Sequence, residues 1–133
     1  MLNKLFSYDS PYKKRARVFA ILWTLLIFIA CLLPAKDIPE VDVPFADKWV
    51  HFMMFGGFAF LWLCSRPSRK LGALFFMLAI TVFTGWIVEC LQGMLTSLGR
   101  SKDMMDVLAD AVGGLLGVVL FALLSYATRN SIK

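Results

Sequence analysis

The chain has 133 residues, of which 59% are hydrophobic and only 17% charged, with 12 phenylalanines and a mean hydropathy of +0.73. A soluble domain carries roughly 45–50% apolar residues and must leave about a third of its unfolded area in water. The polar surface for that is missing here, which excludes an ordinary soluble enzyme, a disordered tail and a nucleic-acid-binding domain. The formal charge of +5 does not restore the last of these, because the basic residues fall where membrane topology places them.

In chain order, four apolar runs predict an all-α, polytopic membrane protein: one domain over residues 1–133, built as a compact bundle of four transmembrane helices. A hydrocarbon core of ~30 Å needs about 20 helical residues. The first run, Val18 to Leu33, is free of charge and stops at Pro34, predicting a helix over about 17–34. The second, Trp49 to Cys64, reaches spanning length only if Asp47 and Lys48 form its first turn, giving 47–64. The third covers 71–95 and is interrupted by one carboxylate, Glu89; the fourth covers 104–126, with Asp106 and Asp110 in its opening turns. Short connections favour antiparallel neighbours. Cys31, Cys64 and Cys90 each sit in an apolar run without metal-ligand spacing, and read as small buried hydrophobes.

Loop charge orients the bundle. Lys4, Lys13, Lys14, Arg15, Arg17, Arg66, Arg69, Lys70, Arg129 and Lys133 fall on one side, against Lys36, Lys48, Arg100 and Lys102 on the other. Basic loops stay in the cytoplasm, so the chain is expected in the cytoplasmic (inner) membrane with both termini inside. Basic residues followed by an apolar run also suit a cleaved leader ending near Phe28-Ile29-Ala30-Cys31; Phe is poor at that site, and cleavage would leave three spans. Eight of the nine acids fall in or near the outer half, and only Asp9 does not.

An ionised side chain within a membrane helix costs about 2.5–3.5 kcal/mol on insertion scales, so it normally has a partner and a purpose. Asp47 and His51 share a face of the second helix. Gly85, Glu89 and Gln92 share one on the third; Asp106, Asp110, Gly113 and Gly117 share one on the fourth. Glu89 lies about 9 Å below the end of its helix, and Asp110 at a comparable depth. One outward-facing site is therefore expected from Asp47, Lys48, His51, Glu89, Gln92, Arg100, Asp103, Asp106 and Asp110. Arg100, Lys102 and Lys48 would neutralise the acids. Gly113 and Gly117, with Gly56, Gly57 and Gly85, would let the helices approach closely. Asp103 also suits a helix N-cap. His51, Glu89 and the aspartates are compatible with a divalent metal, but no HExxH-like signature calls for one, so no cofactor is predicted.

The string Asp47-Lys48-x-x-His51-Phe52, then Glu89-x-x-Gln92, then Arg100-x-x-Asp103-x-x-Asp106-x-x-Ala109-Asp110-x-x-Gly113-x-x-x-Gly117 resembles the VanZ-like family over residues 18–126. Two positions depart from it: Leu91 stands where many relatives carry a second His, and Asp110 where many carry Asn. VanZ itself is associated with teicoplanin resistance. The resemblance therefore implies a cell-envelope protein that binds a lipid-linked cell-wall precursor, a lipid headgroup or a glycopeptide or lipopeptide antibiotic. Two alternatives stay open. One is an intramembrane enzyme with Glu89 or His51 as general base; the other is a small proton-coupled transporter. The expected partners are the bilayer and that ligand, with homo-oligomerisation open and nucleic acid excluded.

Overall fold

The computed structural model describes residue 4 and residues 6–130, the side chains of 129 and 130 excepted. Among these there are four α-helices and no strand: α1 (Lys13–Leu32), α2 (Ala46–Ser65), α3 (Leu71–Met94) and α4 (Met104–Asn130), with single 3-10 turns at Ala35–Asp37 and Thr96–Leu98. Three of the four, α1, α3 and the Met104–Thr128 part of α4, are long and apolar enough to cross a membrane. The fourth, α2, is also 20 residues long but carries Asp47, Lys48 and His51 in its first two turns, whereas α1 is free of charge after Arg17.

The helix ends have local causes. α1 begins four residues before the expected position, taking Lys13–Ala16 into its first turn, and stops two residues short of it. The early stop follows from Pro34: the residue before a proline is pushed out of the helical region, and Leu33 is extended at φ −60°, ψ 144°. At the start of α2, Phe45 takes the left-handed conformation (φ 57°) that redirects the chain into the helix. Gly99 (φ 72°) does the same in the α3–α4 connection, where the absence of a Cβ makes the turn cheap. α4 starts on a side-chain cap, with the Met105 N–H donating to Asp103 Oδ1 at 2.8 Å, and continues to Asn130 rather than ending near 126.

Packing is tightest between α2 and α4, which run parallel. A Cβ on Gly113 would lie 2.1 Å from the Phe52 carbonyl oxygen, and one on Gly117 would lie 2.2 Å from that of Gly56. No side chain fits there, so backbone meets backbone along the small-residue face. α1 crosses α2 where the Trp23 ring covers Gly57 and its indole N–H donates to Met54 O at 2.8 Å. Phe55, Phe121, Ile27 and Val88 are fully enclosed. Ahead of α1, buried Phe6 packs edge-on against Phe60 and Phe121. The outside is apolar instead: Val18, Leu22, Leu25 and Ile29 of α1 and Phe75, Phe76 and Phe83 of α3 are all exposed.

The ends of the bundle differ. The starts of α2 and α4 and the ends of α1 and α3 form a polar end. The opposite, basic end carries Lys13, Arg17, Arg66 and Arg69; Lys133, expected on the same side, lies outside the described residues. From the basic end a cleft of about 950 Å³ opens between α1, α2 and α3, walled by Phe28, Phe58, Trp62 and Ile80, with Lys13 and Arg66 at its rim.

Candidate functional site

At the polar end the helical registers bring ionisable side chains from α2, α3 and α4 into one group. His51, one turn into α2, stacks on Phe55 (centroids 6.2 Å apart, planes 9° apart), which holds its ring with the edge toward α4. There His51 Nδ1 lies 2.9 Å from Asp110 Oδ1, and Nε2 lies 3.8 Å from Asp106 Oδ2. Asp110 is fully buried. It fits because position 85 on α3 is glycine: a Cβ there would sit 2.4 Å from Asp110 Oδ2.

Lys48 forms a second node. Its ammonium donates to Asp47 at 2.9 Å, Asp103 at 2.7 Å and Asp106 at 3.0 Å, joining the first turn of α2 to the cap of α4. The ammonium beside Asp103 holds that carboxyl below the usual carboxylate range. Asp103 also donates its backbone N–H to Glu89 Oε2 at 2.7 Å, so one residue caps α4, pairs Lys48 and tethers the carboxylate of α3. Glu89 is fully buried. Its Oε1, like Asp110 Oδ2, has no hydrogen-bond partner among the described residues. One ligand atom each from His51, Glu89 and Asp106 lie within 4.8 Å of one another, and all three residues are buried.

Asp47, Lys48, His51, Glu89, Asp103, Asp106 and Asp110 therefore meet. Gln92 does not join them: its amide donates to the Cys31 carbonyl at 2.7 Å, tying α3 to α1. The expectation that Arg100, Lys102 and Lys48 together neutralise the acids is corrected. Among the described residues Lys48 is the one lysine or arginine paired with these acids, His51 lies against Asp106 and Asp110, and Arg100 and Lys102 make no ion pair. Both sit in or next to the irregular connection that ends at Asp103, where Lys102 packs its stem against Gly93 and is exposed, while Arg100 is half-buried. Sequence reasoning misses the triple role of Asp103 and the stacking of Phe55. The i, i+4 spacing of His51 and Phe55 is the available signal for the second.

Long apolar helices with apolar exteriors, enclosing a group of charged side chains at one end, define an integral membrane protein of the all-α class. The family is equally specific: the VanZ/LLP1 family model matches residues 5–125, and the chain belongs to that family. No curated protein and no solved structure matches it.

Proposed function

We propose that this VanZ-like protein crosses the cytoplasmic membrane four times with both termini inside, and binds a ligand headgroup at an outward-facing polar end. The headgroup belongs to a lipid-linked cell-wall precursor, a lipid or a glycopeptide or lipopeptide antibiotic, and binding contributes to antibiotic or envelope-stress resistance. Family membership supports the resistance setting, and the ten-to-four division of basic residues supports the orientation. The 20 residues of α2 extend ~30 Å, enough for a span, with Lys48 and Asp47 at the membrane boundary.

The observation that carries the reading is the buried, incompletely satisfied charge. Four ionisable side chains, His51, Glu89, Asp106 and Asp110, are buried at one end, and two of their carboxylate oxygens have no partner among the described residues. Helix packing calls for none of this. Arg100, half-buried in the connection that leads to Asp103 and in no ion pair among the described residues, offers a planar fork for a phosphate or carboxylate.

The experiment is tolerance to teicoplanin and to envelope stress in cells expressing each variant, measured alongside melting temperature. Glu89→Gln and His51→Ala should abolish tolerance while leaving insertion and folding nearly intact, since removing a membrane charge eases insertion. Arg100→Ala should do the same, and Arg100→Lys should restore only part, because Lys lacks the planar fork. A destabilised but fully active Glu89→Gln protein would overturn the reading.

A second reading, an intramembrane enzyme acting on a lipid-linked substrate, draws support from the His51–Asp110 pair. A carboxylate on Nδ1 fixes the tautomer and leaves Nε2 as the base. Turnover of a lipid-linked precursor by purified protein, lost in His51→Ala, would favour it over binding alone.

A further inference from the structure

We propose that the polar end is a binding site for a divalent first-row metal ion of the Zn2+ or Mn2+ class, held by His51 Nε2 and the carboxylates of Glu89 and Asp106. The proposal concerns the site proposed above but stands on geometry that does not depend on the resistance reading.

Three observations converge. The first is the donor set. One imidazole nitrogen and two carboxylates from three different helices offer ligand atoms within 4.8 Å of one another, all buried. A Zn2+ ion with ligands at about 2.0–2.1 Å sets them roughly 3.3 Å apart in a tetrahedron. His51 Nε2 and Asp106 Oδ2, at 3.8 Å, need close only by about half an ångström to reach that edge. At 3.8 Å they are too far apart for a hydrogen bond to fill the gap.

The second is orientation. Asp110 accepts from the Nδ1 side of His51 at 2.9 Å, which presents Nε2 as the lone-pair donor. A carboxylate behind a histidine is the usual outer support of a metal-binding imidazole. Asp110 is a positioning residue here, fixed by its seat over Gly85.

The third is unbalanced charge. Five carboxylates (Asp47, Glu89, Asp103, Asp106 and Asp110) meet a single ammonium, and Glu89 Oε1 is buried with no partner among the described residues. Like charges this close in a low-dielectric setting require a cation or a proton. Lys48 serves Asp47, Asp103 and the Oδ1 of Asp106, which leaves the Oδ2 of Asp106 toward His51 Nε2, and Glu89 and Asp110 with no lysine or arginine partner among the described residues.

The test uses the full chain in nanodiscs, prepared without a histidine tag. Zn2+ and Mn2+ are titrated separately, with bound metal counted by elemental analysis and stability followed by melting temperature. The expected result is one equivalent per chain, a higher melting temperature with metal, and loss of binding in His51→Ala, Glu89→Gln and Asp106→Asn. Asp110→Asn should weaken binding about 10–100-fold, as outer-support changes do. Asp42→Asn, at an exposed acid elsewhere, should not change it. Should the ligand variants fail to fold, pulsed EPR of Mn2+ on the wild-type chain still decides. His51 is the only histidine in the chain, so coupling to its imidazole nitrogen identifies the site. Folded wild type that binds neither ion at millimolar concentration overturns the proposal, as does bound Mn2+ without nitrogen coupling. Metal bound at His51 in a chain whose His51→Ala variant keeps full tolerance would sink the resistance reading and leave the metal site standing. Tolerance that requires His51 without any bound metal would do the reverse.

Discussion

At the middle and basic end of the bundle the buried polar side chains include three hydroxyls, and each finds a partner on its own helix. Ser65 Oγ donates to Trp62 O at 2.8 Å, Ser125 Oγ to Ala122 O at 2.9 Å, and Thr81 Oγ1 to Met77 O at 2.8 Å. At the polar end the buried groups reach across helices: His51 of α2 to Asp110 of α4, Glu89 of α3 to the N–H of Asp103 just before α4, and Gln92 of α3 to a carbonyl of α1. The contrast has a chemical origin. A hydroxyl can satisfy itself within one turn of its own helix. A carboxylate has no proton to give a carbonyl and needs donors from elsewhere. The basic end leaves an open cleft beside α1 and α3, bridged by the Trp62 indole N–H donating to Thr24 Oγ1, whereas the buried carboxylates of the polar end require α2, α3 and α4 to be held in fixed register. The glycine seam between α2 and α4 supplies that register, which makes it part of the site although no glycine touches a charge directly except at Gly85.

The largest effect should come from breaking the seam. Gly117→Leu places a side chain where even a Cβ would lie 2.2 Å from the Gly56 carbonyl oxygen, and backbone cannot move aside as a flexible side chain would. Overpacking typically costs ~1–3 kcal/mol and more where backbone must shift, so a loss of at least about 3 kcal/mol is expected. Ala73→Leu adds the same kind of bulk beside the cleft and should cost under about 1 kcal/mol, because there is space to fill. Unfolding in detergent or nanodiscs, followed by denaturant titration, compares the two. Equal losses would mean that the tight seam and the open cleft are not mechanically different.

A smaller effect is expected from the Lys48 node. Lys48→Met removes the shared cation of Asp47, Asp103 and Asp106, and the nearly buried Asp106 then loses its closest positive partner. Breaking a fully buried pair costs about 3–5 kcal/mol. Lys48 is about a quarter exposed (23% of its side chain), so water screens part of that loss and roughly 1–2 kcal/mol is the expectation. Asp106→Asn in the Lys48→Met background should recover part of it, because the uncompensated charge goes. The double-mutant cycle measures the coupling, and strictly additive losses would show that the two side chains do not act as a pair.

Much of this organisation is legible in the amino-acid sequence. Apolar runs of spanning length mark α1, α3 and α4, since burial on all sides by lipid or protein leaves no other composition. The carboxylates stand out because an apolar helix has no packing use for Glu89. Spacing places Asp110 on a face with its glycines and His51 on a face with Asp47, but it leaves open which neighbour each face meets. Gln92 shows why: it shares a face with Glu89, yet a rotation of less than one turn aims it at the Cys31 carbonyl of α1. Charge attraction alone misplaces Arg100. Its position is set instead by an irregular connection that must also deliver Asp103 to the start of α4. Phe6 lies ahead of the first apolar run and outside every helical pattern, so no periodicity signals its burial against Phe60 and Phe121.

The smallest effect should come from the hydroxyls at the basic end, and its smallness is the point. Ser125→Ala and Ser65→Ala each delete a hydrogen bond whose acceptor is a carbonyl of the preceding turn. That carbonyl lies within helical reach of its own i+4 N–H, so removing the hydroxyl strands no buried acceptor. The contact from Arg69 to the Ser125 backbone oxygen also survives, since the alanine keeps the same backbone. A neutral hydrogen bond is worth about 0.5–1.5 kcal/mol net, and with no group stranded the loss should sit at the low end of that range. Teicoplanin tolerance and metal content should both match wild type, because neither serine lies at the polar end. Were either serine variant to abolish tolerance as completely as Glu89→Gln is expected to, function could no longer be assigned to one end of the bundle. The buried charges would then have to be read as one part of a path through the membrane rather than as a site at its edge.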